Sequence, residues 1–221
     1  MRQASHVTDI DTVIYDLGGV LLDWQPAVLF EPLLPTGTDV ERFLAQTQLY
    51  HWNNEHDRGV DWEVAVAAVA RNYPQHAGAF AQYPRLFGDS LVGTVPGSME
   101  LLEEVLATDV QVLGLTNFAR DNFEIARADY PWLDLFDGVV VSGHERVVKP
   151  DPRIYRVLIQ RYAVVPERAV FIDDRAENVQ AARDLGFQGI DFVDSAELRR
   201  SLIALGVLGR TDQRGPAGTS T

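Results

Sequence analysis

Asp16 interrupts an otherwise apolar stretch near the start of the chain. It follows the apolar residues 13–15 and precedes the glycine pair Gly18-Gly19. The apolar run predicts a buried strand and the glycines predict its end, so we expect Asp16 at the carboxyl end of that strand. Ligands of open α/β sheets bind at this edge. Asp16 could therefore be a metal ligand, a nucleophile or a solvated turn residue, and its partners must decide between them.

Three further segments bring polar groups to the same edge of the predicted sheet. Thr116 and Asn117 end a second strand, Lys149 lies in the loop before a helix, and Asp173-Asp174 end another strand. Hydroxyls and carboxylates are common where strands end, so each segment alone is weak evidence. Together, in this order and each at the appropriate end of its element, they indicate a site.

Phosphoryl transfer is the chemistry that this set of residues fits. A carboxylate that attacks phosphorus must overcome the repulsion between two anions, so it needs a bridging cation and fixed donors on the other oxygens. Asp16 and Asp174 can hold Mg²⁺, which prefers hard oxygen ligands. The Thr116 hydroxyl, the Asn117 backbone and Lys149 can donate to the non-bridging oxygens of a phosphate.

The formal charge of these residues predicts metal dependence. Asp16, Asp173 and Asp174 bring three negative charges, and Lys149 brings one positive charge. The bare site would therefore repel phosphate, whereas a bound Mg²⁺ would make it neutral before the substrate arrives.

From residue 97 onward, helical and strand patterns alternate along the chain. This alternation predicts a doubly wound parallel sheet with helices on both faces, the α/β architecture of a Rossmann-like core. The predicted strands cover residues 110–116, 138–142, 169–173 and 188–192, and the predicted helices cover residues 98–107, 120–129, 151–162, 176–185 and 195–205.

The segment between Asp16 and this alternating region has a different character. Residues 27–95 show helical patterns and no convincing strand, which indicates an inserted all-helical unit of three or four helices. We therefore assign residues 1–22 and 96–209 to the core and residues 23–95 to the insertion. Residues 210–221 are rich in Gly, Ser, Thr and charge, and we expect a disordered tail there.

Composition restricts the possible partners and location. The net charge of −13 opposes binding to the nucleic-acid backbone. No apolar run approaches the ~20 residues of a membrane span, and residues 1–6 lack the apolar centre of a signal peptide, so we expect a cytoplasmic protein. The absence of cysteine excludes disulfides and thiolate metal sites. These bounds favour a small-molecule substrate over nucleic acid or a membrane.

The four polar segments resemble the motifs of the haloacid dehalogenase-like (HAD) hydrolase superfamily, over about residues 12–205. An insertion between motifs I and II is what this family calls a C1 cap. The pattern is most similar to the sugar-phosphatase branch that includes α-D-glucose-1-phosphate phosphatase, and to the phosphatase domain of soluble epoxide hydrolase. Residues 15–23 resemble motif I, residues 115–117 motif II, residues 149–155 motif III, and residues 171–179 with 181–186 motif IV.

This resemblance implies a role for each motif residue. Asp16 would be the nucleophile that forms an aspartyl-phosphate, and Asp174 would be a metal ligand. Asp173 would orient Lys149 or a metal-bound water. Asn178 stands where many relatives have a further carboxylate, which implies a supporting role behind the ligands.

One departure from the family pattern is Gly18. Most phosphatases of the family have a second aspartate there, whose backbone carbonyl binds the metal and whose side chain protonates the leaving oxygen. Gly18 keeps the backbone carbonyl but has no acidic side chain. General acid–base catalysis contributes ~100- to 10,000-fold to the rate, so this contribution would be missing. This favours a good leaving group, such as that of a sugar 1-phosphate, and disfavours a phosphomutase. A substitute acid could come from the insertion, where His56 and Glu55 are the candidates and Arg58 is a candidate substrate contact.

Two other functions compete with a phosphatase. A 2-haloacid dehalogenase also attacks through an aspartate, but it needs no metal and no adjacent pair such as Asp173-Asp174, which would be costly to hold unneutralised. A binding or regulatory domain on a decayed hydrolase fold is supported only by Gly18. The sequence therefore predicts an Mg²⁺-dependent phosphatase of a small phosphorylated metabolite, with a sugar phosphate as the candidate substrate.

Overall fold

A five-stranded parallel sheet forms the centre of the molecule. The computed structural model describes residues 9–209, so the predicted tail at 210–221 and the signal-peptide argument at residues 1–6 lie outside the described residues. The strand order is β5-β4-β1-β6-β7, and all four neighbouring pairs are parallel, which confirms the predicted doubly wound sheet. The strands are β1 (Thr12–Tyr15), β4 (Gln111–Thr116), β5 (Gly138–Val141), β6 (Ala169–Asp173) and β7 (Gln188–Asp191).

The register of β1 decides which residues meet at the carboxyl edge. β1 is the central strand, and Tyr15 pairs with Gly114 on one side and with Ile172 on the other. The next residue, Asp16, donates its backbone N–H to the carbonyl oxygen of Ile172 at 2.8 Å. Asp16 is therefore held beside the ends of β4 and β6.

Helices cover both faces of the sheet, and the bounds of the five predicted ones lie within two residues of the prediction, whereas the short helix at Ser142–Glu145 was not predicted. Asp194 is the N-cap of the last helix, because its carboxylate accepts from the Glu197 N–H at 2.7 Å. Ser195 donates to the Pro96 carbonyl at 2.8 Å. The core helices are α6 (Ser98–Leu106), α7 (Arg120–Asp129), α8 (Ser142–Glu145), α9 (Pro152–Tyr162), α10 (Ala176–Arg183) and α11 (Ser195–Ala204).

The insertion at residues 23–95, called the cap below, is helical except at its two ends. There β2 (Leu22–Trp24) and β3 (Leu91–Thr94) form a two-stranded antiparallel sheet. The sequence predicted no strand in this segment, because Asp23 in β2 and Gly93 in β3 interrupt the apolar runs that indicate a strand. The cap helices are α1 (Pro26–Phe30), α2 (Val40–Thr47), α3 (Leu49–Asp57), α4 (Trp62–Asn72) and α5 (Pro74–Phe80).

Gln48 separates the cap helices α2 and α3. Gln48 adopts a left-handed conformation (φ 54°), which ends α2 and allows α3 to begin in a new direction. Pro84 likewise separates α5 from a 3₁₀ segment at Pro84–Ser90, as its ring requires. None of the helices within residues 9–209 combines the length and apolarity needed to cross a membrane.

Candidate active site

Lys149 is the centre of a buried charged cluster at the carboxyl edge of the sheet. Its Nζ lies 2.8 Å from Asp16 Oδ1, 2.7 Å from Asp173 Oδ2 and 2.8 Å from the Leu115 carbonyl oxygen. The side chain is 0% exposed. The contacts with Asp173 and Leu115 are hydrogen bonds, so the ammonium proton on the Asp16 side is the one that a substrate could share.

Asp173 holds Lys149 in place from β6. Its Oδ2 accepts from Lys149, while its Oδ1 accepts from the Arg175 backbone N–H and from Asn178 Nδ2, both at 2.9 Å. Both carboxylate oxygens are therefore engaged within the protein. This arrangement leaves neither oxygen of Asp173 free for a substrate.

Asp16 presents one oxygen to the space in front of the sheet. Its Oδ1 accepts from Lys149 and, at 2.7 Å, from the Leu17 backbone N–H, which leaves Oδ2 for a substrate or a metal. Burial raises the pKa of Asp16 to about 7, and Asp173 and Asp174 add to the rise, whereas Lys149 opposes it. A cation near Oδ2 would favour the ionised form that nucleophilic attack needs.

The oxygens that could hold a metal come from β1 and β6. Asp16, Asp173 and Asp174 each offer an oxygen, and the three atoms lie within 4.8 Å of one another. Since both oxygens of Asp173 accept hydrogen bonds within the protein, the carboxylates that remain are Asp16, through Oδ2, and Asp174. A pair of carboxylates beside the Gly18 backbone is a hard-oxygen donor set, which suits Mg²⁺.

Gly19 is needed for this arrangement. Its φ of +77° is unfavourable for other residues, and a Cβ built there would lie 2.8 Å from Asp174 Cγ, inside contact distance. Gly18 differs, because a Cβ there would meet nothing closer than 4.0 Å, a ring carbon of Phe118. The space beside Gly18 would therefore accept a Cβ, so packing does not require a glycine at this position.

Asn117 and Thr116 have different surroundings at the end of β4. The Asn117 side chain accepts from the Lys149 backbone N–H at 2.8 Å and donates to the Lys149 carbonyl at 3.1 Å, so it fixes the loop that carries Lys149. Thr116 is buried and lines the cavity in front of Asp16. Of these two side chains, Thr116 is the one free to contact a ligand.

A cavity of about 280 Å³ separates the sheet edge from the cap. Asp16, Gly18, Thr116 and Asp174 line its core side. Its other walls combine four aromatic residues with polar side chains, and Trp24 and Tyr50 pack edge to face there with ring centres 5.8 Å apart. The aromatic residues that line the cavity are Trp24, Tyr50, Phe87 and Phe118.

One face of α3 closes the cavity from the cap side. Tyr50, Asn53, Asn54 and Asp57 all line it, and their spacing of three, four and seven residues places them on the same helix face. Asp57 is 4% exposed. Asp57 was not among the residues predicted from the sequence, although its helical spacing from Tyr50 was a signal that could have found it.

The three cap residues predicted to act on the substrate lie away from this cavity lining. The His56 ring is bound through Nδ1 to the Val60 carbonyl at 2.9 Å and packs against Trp62, with ring centres 5.4 Å apart. Glu55 and Arg58 face each other at 3.8 Å. The structure gives these residues local contacts within the cap and places Asp57 at the cavity instead.

Family membership follows from comparison with known proteins. A parallel sheet with carboxylates at its carboxyl edge and a helical cap over that edge is a capped Rossmann-like fold. A profile of the haloacid dehalogenase-like hydrolases matches residues 10–186. The chain belongs to this family of hydrolases.

Two curated relatives are similar over most of the chain. The sesquiterpene phosphatase astK of Aspergillus oryzae is 28% identical over 195 residues, which cover 85% of this chain and 92% of that protein. The drimenol cyclase drtB of Aspergillus calidoustus is 28% identical over 211 residues, which cover 93% of this chain. The chain spans only 38% of the length of that second relative.

Solved structures show the same fold at lower identity. A HAD family enzyme of Bacteroides thetaiotaomicron, in complex with magnesium and inorganic phosphate, has a TM-score of 0.63 and 19% identity, covering 86% of this chain and 98% of its own. The L-2-haloacid dehalogenase of Xanthobacter autotrophicus has a TM-score of 0.59 and 23% identity, covering 88% of this chain and 83% of its own. At these identities the likeness shows the fold alone.

Proposed function

We propose that this hydrolase is an Mg²⁺-dependent phosphatase that acts on a small phosphorylated metabolite through an aspartyl-phosphate on Asp16. The observation that carries the proposal is the geometry of Asp16. Its Oδ1 is held by Lys149 and the Leu17 N–H, and its Oδ2 is left for the cavity that Thr116 and Asp174 also line. A carboxylate fixed through one oxygen presents the other as an oriented nucleophile.

The remaining residues at the sheet edge have assigned roles in this proposal. Asp16 and Asp174 with the Gly18 carbonyl hold Mg²⁺, which supplies positive charge to offset the repulsion between nucleophile and phosphate. The Thr116 hydroxyl, the Asn117 backbone and Lys149 bind the phosphate oxygens. Asp173 keeps Lys149 oriented between the two carboxylates.

The cavity supports a leaving group with an apolar face. Its aromatic walls favour rings or hydrocarbon, while the amides of Asn53 and Asn54 on α3 can bond hydroxyl groups. A sugar phosphate combines these features, and a relative named as a sesquiterpene phosphatase makes an isoprenyl phosphate the second class to test. About 280 Å³ limits either substrate to a small molecule.

A phosphatase screen with and without Mg²⁺ tests the proposal. The panel contains sugar 1-phosphates, sugar 6-phosphates, an isoprenyl phosphate and 2-chloropropionate, with release of phosphate or chloride as the readout. We expect phosphate release from at least one monoester. Chloride release without phosphate release would instead establish the dehalogenase, and the Asp173-Asp174 pair speaks against that outcome because Asp174 has no cationic side chain within ion-pair distance in the described residues.

Removal of divalent metal is expected to lower kcat/KM by about 100-fold or more, because the metal stabilises the transition state by several kcal/mol. Without metal, the negative charge of the three carboxylates exceeds the positive charge of Lys149, so the site repels phosphate. Turnover is measured in excess EDTA and after restoration with Mg²⁺. Equal rates in both conditions would contradict the proposed metal site.

Gly19→Ala is expected to weaken Mg²⁺ binding by about 10- to 100-fold, because the new Cβ displaces the Asp174 carboxylate. Titration calorimetry with Mg²⁺ measures this directly. Gly37→Ala is the matched control, since Gly37 also has a positive φ (+82°) but nothing within 4 Å of the added Cβ. If both variants kept the wild-type affinity, Asp174 would not be a ligand.

A further inference from the structure

We propose that Asp57, on the cap helix α3, is the general acid and base that replaces the side chain missing at Gly18. This inference rests on the proposed phosphatase function and concerns the proton that the leaving oxygen needs. It assigns a catalytic role to the cap beyond enclosing the substrate.

The position of Asp57 is the first argument. Asp57 is 4% exposed and lines, from the cap, the cavity that Asp16, Gly18 and Asp174 line from the core. A substrate held between these walls would have its phosphorus beside Asp16 and its leaving group toward the cap. Asp57 is the carboxyl group on the cap side of this cavity among the described residues.

The partners of Asp57 are the second argument. Asn53 Nδ2 donates to its Oδ2 at 3.0 Å, and Asn53 is itself held by the Tyr83 hydroxyl at 2.7 Å. No ion pair among residues 9–209 involves Asp57. A buried carboxyl without a cation is costly to keep ionised, and such groups remain where their protonated form has a use.

Protonation of Asp57 is consistent with this environment. Burial raises the pKa of Asp57 well above its usual range, the Asp16 carboxylate raises it further, and the Ala119 backbone N–H opposes the rise. Asn53 and Ala119 both approach Asp57 as donors, so they offer no acceptor to a carboxylic O–H. An oxygen of the bound substrate would be that acceptor.

The proposed reaction is balanced in two steps. In the first, Asp16 Oδ2 forms a bond to phosphorus, the ester P–O bond breaks, and the leaving oxygen takes the Asp57 proton. In the second, the Asp57 carboxylate takes a proton from water as the water oxygen attacks phosphorus, and the Asp16–phosphorus bond breaks. Phosphate leaves, Asp16 is again a carboxylate, and Asp57 is again an acid.

Asp57→Asn tests the role through the leaving group. Benzyl phosphate has a poor leaving group and 4-nitrophenyl phosphate a good one, and both carry one aromatic ring. We expect kcat/KM to fall about 100-fold or more for benzyl phosphate, and less than about threefold for 4-nitrophenyl phosphate, which needs no acid. The second step still needs the base, so 4-nitrophenyl phosphate should show a burst of about one nitrophenolate per enzyme, followed by slow turnover.

Glu55→Gln is the matched control, because Glu55 lies on the same helix and forms a partly exposed ion pair with Arg58. We expect wild-type rates for both esters in this variant. A change that only disturbed cap packing would lower kcat/KM equally for the two esters and give no burst. Equal losses, or no loss with benzyl phosphate, would overturn the assignment.

The wild-type protein gives a second measurement that needs no substitution. The ratio of kcat/KM for benzyl to 4-nitrophenyl phosphate should fall as pH rises, because only the first ester needs protonated Asp57. The titratable groups that face Asp57 are Asp16 across the cavity and Tyr83 within the cap. Both esters need ionised Asp16, so its titration changes the two kcat/KM values equally and leaves their ratio unchanged. A pH-independent ratio would overturn the inference alone, whereas no turnover of any monoester would overturn the proposed function and this inference with it.

Discussion

Asp16→Asn is expected to lower kcat by on the order of 10⁴-fold or more while the fold is retained, because an amide cannot form the aspartyl-phosphate. The substitution is isosteric, and the amide oxygen can still accept from Leu17 and Lys149. Lys149 also keeps its contacts with Asp173 and Leu115, so no buried charge is left unpaired. Steady-state kinetics and urea unfolding measure the two effects separately.

Asp89→Asn provides the comparison for this variant, since Asp89 is an exposed aspartate outside the cavity lining. It should keep wild-type activity and stability. Rapid acid quench of the wild-type protein during turnover, followed by peptide mass spectrometry, should find the added phosphoryl group on the peptide that contains Asp16. Activity close to wild type in Asp16→Asn, or a phosphoryl group on another peptide, would reject Asp16 as the nucleophile.

The sheet edge could be predicted from the sequence because it depends on topology alone. Alternating helices and strands specify a parallel sheet, and parallel strands bring their carboxyl ends together. Asp16 directly follows β1, and Thr116 and Asp173 end β4 and β6, so no knowledge of distances was needed to expect them at one edge. The register of β1 between β4 and β6 then brings Asp16 and Asp173 within reach of the same ammonium group.

The contacts of Lys149 were less accessible to prediction. Its third acceptor is the Leu115 carbonyl oxygen, and any residue can supply a backbone carbonyl. The side chain of Asn117 bonds the backbone of Lys149, whereas the sequence suggested only a backbone donor to phosphate. Such contacts depend on how a loop folds against a strand end, which residue types do not encode.

The cap was the least predictable part because its function depends on how α3 meets the sheet. The left-handed turn at Gln48 starts α3 in its own direction, and only then does the face with Asp57 point toward Asp16. The polar residues near the end of α3 suggested His56 and Glu55 instead. Both are close to Asp57 in sequence, but they lie outside the helix face that lines the cavity. Periodicity gives the faces of a helix, while tertiary packing decides which face meets the site.

Lys149→Met is expected to destabilise the protein by about 3–5 kcal/mol, because it leaves two buried carboxylates without their shared cation. Asp16 and Asp173 lie within 2.8 Å of Nζ, and the Leu115 carbonyl would lose its donor as well. Urea unfolding measures the loss.

The double variant Lys149→Met/Asp173→Asn removes one of the two unpaired buried charges, so it should recover part of the stability. It should recover no activity, since Asp16 then lacks the group that holds Oδ1 in place. If the single variant were as stable as wild type, the buried cluster would not need its cation; if the double variant regained turnover, Lys149 would serve only to neutralise Asp173.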